Sequence, residues 1–134
     1  MAIETLSSPL REDYPKWLKL LYVFYKYVDY SPLKPRTLWD NPQMRMDIDE
    51  IPIKDRWTLN SLIHRIYNFQ YLYRFGDIKW QGYTYLINMK GLNALRRHKL
   101  LTEEQEQYAR RTVLQILERV DPKKYHKVVI NMKK

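Results

Sequence analysis

The pattern of apolar and polar positions divides the chain into stretches of different character. From Tyr14 to Tyr30 almost every position is apolar or aromatic: Trp17, Leu18, Leu20, Leu21, Tyr22, Val23, Phe24, Tyr25, Tyr27 and Val28. The polar exceptions Lys16, Lys19, Lys26 and Asp29 recur at spacings of three and seven, which puts them on one narrow stripe of a helix. Asp13 can cap that helix, and Pro15 falls in its first turn, where a missing N–H costs nothing. A helix so widely apolar must be covered on most sides, yet a 134-residue chain has little material for the task. The segment is therefore expected to dock onto something larger.

Ser31 to Lys54 contains Pro32, Pro35, Pro42 and Pro52, a density that predicts a long extended arm rather than a long helix or a central strand. Arms beyond roughly 12 to 15 residues are uncommon inside compact domains and often lie on another surface. Within this one, Met44, Met46 and Ile48 alternate with Arg45, Asp47 and Asp49, the period of an edge strand that could add to a neighbour.

From Lys54 to Phe75 the period becomes helical, with Leu59, Leu62, Ile63, Ile66, Phe69 and Leu72 or Tyr73 at spacings of three and four. Arg74 and Gly76 supply its stop. Asp77 can cap a following helix that Gly82 weakens and Gly91 ends or kinks. Thr102 and Gln105 have the spacing of a capping box, opening a helix that runs to Asp121-Pro122. Tyr108, Ala109, Thr112, Val113, Ile116, Leu117 and Val120 form its apolar stripe, with Glu104, Gln107, Arg111, Gln115 and Glu118 largely outside it. The tail from Lys123 is basic around Val128-Val129-Ile130. The expected fold is all-α: one domain over 1–134, with an aromatic helix at 13–30, an extended arm at 31–54, a helical middle at 55–90 and a basic extension at 91–134. That amounts to about four helices in an irregular arrangement.

Charge changes the picture. Of the net +9, residues 68–134 supply +8, with 14 basic and 6 acidic side chains against 10 and 9 in residues 1–67. An acidic partner for the second half follows: anionic lipid head groups, an acidic protein face or nucleic acid. Arg96, Arg97, Lys99, Arg110 and Arg111 are the candidates for that contact. RNA binding is the main rival to protein docking, because twelve tyrosines could stack on bases. Most of them, however, lie in segments 14–30 and 67–85, away from the basic clusters, whereas stacking platforms interleave the two.

Candidate chemistry is sparse. The chain has no cysteine, and His64, His98 and His126 are too far apart for a local metal motif. Its three glycines form no phosphate loop, and no serine sits in a nucleophile elbow. No catalytic, cofactor-binding or metal residue is expected. Asp47, Asp49 and Glu50 read as a solvated loop partnered by Arg45, Lys54 and Arg56, lacking the spacing of a calcium loop. The longest stretch without a charged residue is Trp80 to Met89, ten residues against the roughly 20 that a spanning helix requires. Met1 to Glu12 holds one base against two acids, unlike a transit peptide, so an organelle address would be uncleaved or internal.

Leu72-Tyr73-Arg74 matches the tripeptide of the mitochondrial LYR proteins, although here it fits aromatic core positions followed by an Arg at a helix C-terminus. A longer collinear pattern runs through residues 16–90. It comprises Lys16-Trp17-Leu18 and the aromatic helix, Leu33-Lys34, Leu38, Asn41-Pro42 with Met44, Ile51-Pro52, Asp55-Arg56 opening a helix, then Trp80, Tyr83 and Tyr85-Leu86. In this order the chain resembles subunit 7 of mitochondrial ubiquinol:cytochrome c reductase, respiratory complex III. The resemblance implies a noncatalytic helical subunit of the electron-transport chain, peripheral on the matrix side of the inner membrane, packed against cytochrome b and the core subunits. Trp17, Tyr22 and Tyr25 are the expected anchors of the first helix, and Arg56, Arg65, Trp80 and Tyr83 the candidates for partner contacts; residues 91–134 exceed the family's usual length and would be an extension.

Overall fold

The computed structural model describes residues 13–77 and 82–132. Helix α1 (Lys16–Lys26) leads through a 3₁₀ turn (Val28–Tyr30) to α2 (Pro35–Asp40), α3 (Pro42–Glu50) and α4 (Arg56–Asn68). An antiparallel hairpin, β1 (Leu72–Asp77) and β2 (Gly82–Ile87), follows, and then come α5 (Met89–Arg97), α6 (Glu103–Val120) and α7 (Pro122–Met132). The protein is mostly helical but not all-α, with seven helices among the described residues where about four were expected.

Helix α1 is the centre of the core. Leu18, Leu20, Leu21, Val23 and Phe24 are fully buried, and α4, α5 and β2 pack around them. The expectation that this helix must find its cover in a partner is thus overturned: the hairpin and the two flanking helices supply it. Its start also differs. Pro15 is the cap residue and no side chain caps the helix, so Asp13 does not serve; the Pro15 carbonyl accepts from Leu18 and Lys19 at 3.1 and 3.2 Å.

The supposed arm is folded. Pro35 and Pro42 open α2 and α3 from first-turn positions, where a helix uses no N–H; two of the four prolines in the segment therefore start helices instead of interrupting them. Asn41 caps α3 by accepting from the Met44 N–H at 3.0 Å. The edge strand expected at Met44, Met46 and Ile48 is this helix, with Met44, Asp47 and Ile48 inward and Met46 in solvent. Strand addition does occur nearby, one bridge long and within the chain: Leu33 and Tyr85 exchange both backbone hydrogen bonds at 2.8 Å.

Asp55 accepts from the Thr58 N–H at 2.7 Å and caps α4, which buries Leu59, Leu62, Ile63 and Ile66. The helix stops at Asn68 rather than Phe75. Beyond it the chain reverses at Gln70, whose φ is +68°, and enters β1. Asp77 is the last residue of β1 and not the start of a helix. Gly76 adopts φ +92°, and a Cβ there would lie 2.9 Å from the Gly82 carbonyl oxygen, so glycine lets the two strands close. Gly91 neither ends nor kinks α5. It sits in the first turn, beneath the Asn88 cap, where a Cβ would come within 2.5 Å of the Tyr71 carbonyl oxygen.

Helix α6 matches its expected bounds, and both halves of its capping box form: the Gln105 N–H donates to Thr102 Oγ1 at 3.1 Å, and the Thr102 N–H donates to Gln105 Oε1 at 2.9 Å. Asp121 ends α6 and caps the next helix, accepting from the Lys124 N–H at 3.1 Å with Pro122 in the first position. The basic tail is thereby a helix, lying against α6 with none of its residues buried.

Candidate functional site

The three aromatic anchors expected on α1 are engaged inside the fold. Trp17 packs edge-on against Phe69 with centroids 5.3 Å apart and lies 5.9 Å from Tyr71. Tyr22 is buried and meets the half-buried Tyr25 edge-to-face at 5.4 Å. Tyr83 is likewise occupied: the Arg74 guanidinium lies over its ring at 4.1 Å and over the Tyr67 ring at 4.2 Å. Arg74 therefore stands in a strand against two rings, not at a helix C-terminus. Burial pushes the neighbouring Tyr85 hydroxyl above its ordinary range, against an opposing pull from Arg74. Trp80 lies outside the described residues.

Asp47 is the buried member of the acidic trio, not part of a solvated loop. It accepts from Lys26 Nζ at 3.1 Å and from the Tyr27 hydroxyl, joining α1 to α3. Burial, and then the bond to Asp47, drives the Tyr27 hydroxyl well above the usual tyrosine range. Asp49 pairs with Arg45 at 3.0 Å one turn away, and the Arg45 guanidinium stacks 3.4 Å from the Trp39 ring centroid. The Asp47 contacts and the Arg45–Trp39 stack link helices, while the Arg45–Asp49 pair lies within α3. Among the described residues, no group of three or more His, Asp or Glu side chains is placed to hold a metal ion, and no helix is long and apolar enough to cross a membrane.

Exposed large apolar side chains, among them Tyr30, Met46, Tyr108 and Ile130, are spread over several elements, and α4 contributes Trp57. The inward stripe of Leu59, Leu62, Ile63 and Ile66 leaves Trp57, Asn60, Ser61, His64, Arg65 and Asn68 on the outer side, all exposed. Trp57 is 78% exposed, with the exposed Arg56 beside it at the start of the helix. Two of the expected contact residues, Arg56 and Arg65, thus share this helix with an indole that sequence reasoning passed over. The signal was available: Trp57 falls out of phase with the apolar stripe, so its ring cannot point inward without unpacking the helix.

The basic candidates separate into two sets. Arg96 and Arg110 both bind the buried Glu106, at 2.9 and 3.4 Å, which fastens α5 to α6. Arg97, Lys99 and Arg111 are exposed and make no ion pair among the described residues. A shallow groove of about 430 Å³ separates the start of β1 and of α5 from α7, walled by Tyr73, Met89, Val128 and Met132. Lys124 reaches across above the Tyr73 and Phe75 rings, at 5.5 and 5.4 Å. No protein-family model, no curated protein and no solved structure matches this chain.

Proposed function

We propose that this protein is a noncatalytic accessory subunit that docks onto a larger assembly through the outer face of α4. The carrying observation is Trp57, left 78% exposed in a molecule whose core is already closed around α1. An indole buries roughly 150 to 250 Å² when covered, and Trp and Arg are the residues most enriched among those that dominate interface energies. Arg56 beside it and Arg65, about two turns further along the same helix, carry guanidiniums suited to carboxylates on a partner.

The resemblance to subunit 7 of complex III directs the choice of assembly to the matrix side of a respiratory complex, with cytochrome b and the core subunits as partners. Asp55-Arg56, one of the pairs that carry the resemblance, does open a helix here. The hairpin departs from the helical subunit that the resemblance implies.

The test is recovery of the tagged full chain from gently solubilised mitochondrial membranes. Comigration with b- and c-type haem is expected. Trp57→Ala should weaken that association by about 2 kcal/mol or more, roughly 30-fold, while shifting the stability of the isolated chain by no more than about 0.5 kcal/mol. Recovery with ribosomal RNA that dissociates steeply with salt would instead favour the nucleic-acid reading. Migration as a free monomer would overturn both.

A further inference from the structure

Away from the α4 face, unpaired positive charge converges on one cleft. It opens between the 3₁₀ turn and α6, holds about 260 Å³, and is lined by Asp29, Tyr108, Arg111, Thr112, Gln115 and Arg119. Its floor is the buried side chain of Ile116. Arg111, Gln115 and Arg119 follow at successive intervals of four on α6, so they share one face with a rise of about 6 Å per step.

The donors in this cleft outnumber the acceptors. Neither Arg111 nor Arg119 is paired with a carboxylate among the described residues, in contrast to Arg96 and Arg110 on Glu106. The one carboxylate in the lining, Asp29, already accepts a hydrogen bond from the Tyr108 hydroxyl at 3.0 Å. Two guanidiniums, the Thr112 hydroxyl and the Gln115 amide remain free to donate. Guanidinium forks match the oxygens of phosphate and carboxylate, and two of them match a dianion better than a monoanion. The volume falls below the roughly 300 to 1,000 Å³ of sites for drug-sized ligands, so the cleft suits a single small group and not a whole nucleotide.

We infer that the cleft binds a phosphate group, clamped by Arg111 and Arg119. The group belongs to free phosphate or to an exposed phosphomonoester such as the head group of phosphatidic acid. Asp29 opposes the anion and keeps binding modest, which fixes the sign of a further variant: Asp29→Asn tightens binding.

The experiment uses the full chain in two arms, titration with inorganic phosphate and sedimentation with phosphatidylcholine vesicles containing phosphatidic acid. Saturable binding in the first arm identifies free phosphate as a ligand; binding confined to the second identifies the lipid head group. In whichever arm binds, Arg111→Gln with Arg119→Gln should weaken binding about tenfold or more. Arg97→Gln with Lys99→Gln, the same loss of charge elsewhere, should change it by less than about twofold. All four side chains are exposed, and unchanged thermal melting confirms that each variant folds. Absence of binding in both arms overturns the site. So does equal weakening by the two double variants, a failure of Asp29→Asn to tighten binding, or equally tight binding of succinate. None of these outcomes depends on docking through α4.

Discussion

Helices α1 and α7 are both 11 residues long, and both combine lysines with tyrosine and branched apolar residues. Yet α1 buries six side chains, while α7 buries none and leaves Ile130 57% exposed. The difference lies in their neighbours. Helix α1 is enclosed by α4, α5 and the hairpin, whereas α7 leans on α6 and lays Lys124 over two rings of β1. Apolar composition states that a segment gains by being covered. It does not state who covers it, because the hydrophobic effect is proportional to area and carries no direction.

Several measurements can break or sharpen this contrast. The largest effect is expected from Phe24→Ala at the centre of α1, which removes a fully buried ring and leaves a cavity. Chemical denaturation should show a loss of about 3 to 5 kcal/mol; a loss below about 1 kcal/mol would mean that α1 is not enclosed as described.

Alkaline pH tests the same core by another route. Tyr27, Tyr73 and Tyr85 all have hydroxyls raised above the ordinary 10.0, with burial the largest cause in each. The unfolded chain would ionise first, so their contribution is fully present below pH about 10 and is lost as pH rises from there through the folded-state values. Denaturation midpoints should therefore decline only above pH about 10, together with delayed tyrosinate absorbance. A midpoint that stays flat well into the alkaline range would show these rings to be as solvated as in the unfolded chain.

Smaller effects distinguish the periphery. Thr102→Ala removes one half of the α6 capping box and should cost about 1 kcal/mol. Ile130→Ser on α7 should stay within about 0.5 kcal/mol in the isolated chain. If that substitution cost as much as the core variant, α7 would be part of the core and the contrast would fail.

The parts of the fold legible in the sequence were those set by local chemistry. Thr102 and Gln105 define the start of α6 through hydrogen bonds spanning three residues. The spacing of Leu59, Leu62, Ile63 and Ile66 likewise defines the buried face of α4. Two misreadings had specific physical causes. Pro35 and Pro42 read as helix breakers although each stands in a first turn, where proline is compatible with the helix. Leu72 and Tyr73 continued the helical spacing of α4, which concealed a hairpin whose aromatic and β-branched content, Tyr73 and Phe75 in β1 and Tyr83, Thr84 and Ile87 in β2, was the better guide.

For the candidate site, Arg56 and Arg65 do stand exposed on α4, whereas aromatic richness along the chain was a poor guide to which rings face water. Trp17, Tyr22 and Tyr25 lie in the richest apolar stretch, and for that reason the fold buries Tyr22 and half-buries the other two; Trp57 lies off the stripe, and for that reason it remains in water. By itself the sequence determined which segments gain by burial, where the strongest caps lie and that the second half is basic. Only the tertiary structure decided that α1 is covered from within, that Glu106 occupies Arg96 and Arg110, and that Arg111 and Arg119 share a cleft with Asp29. Caps and periodicities act over a few residues of chain, whereas cover and charge pairing join residues far apart in sequence and follow from packing alone.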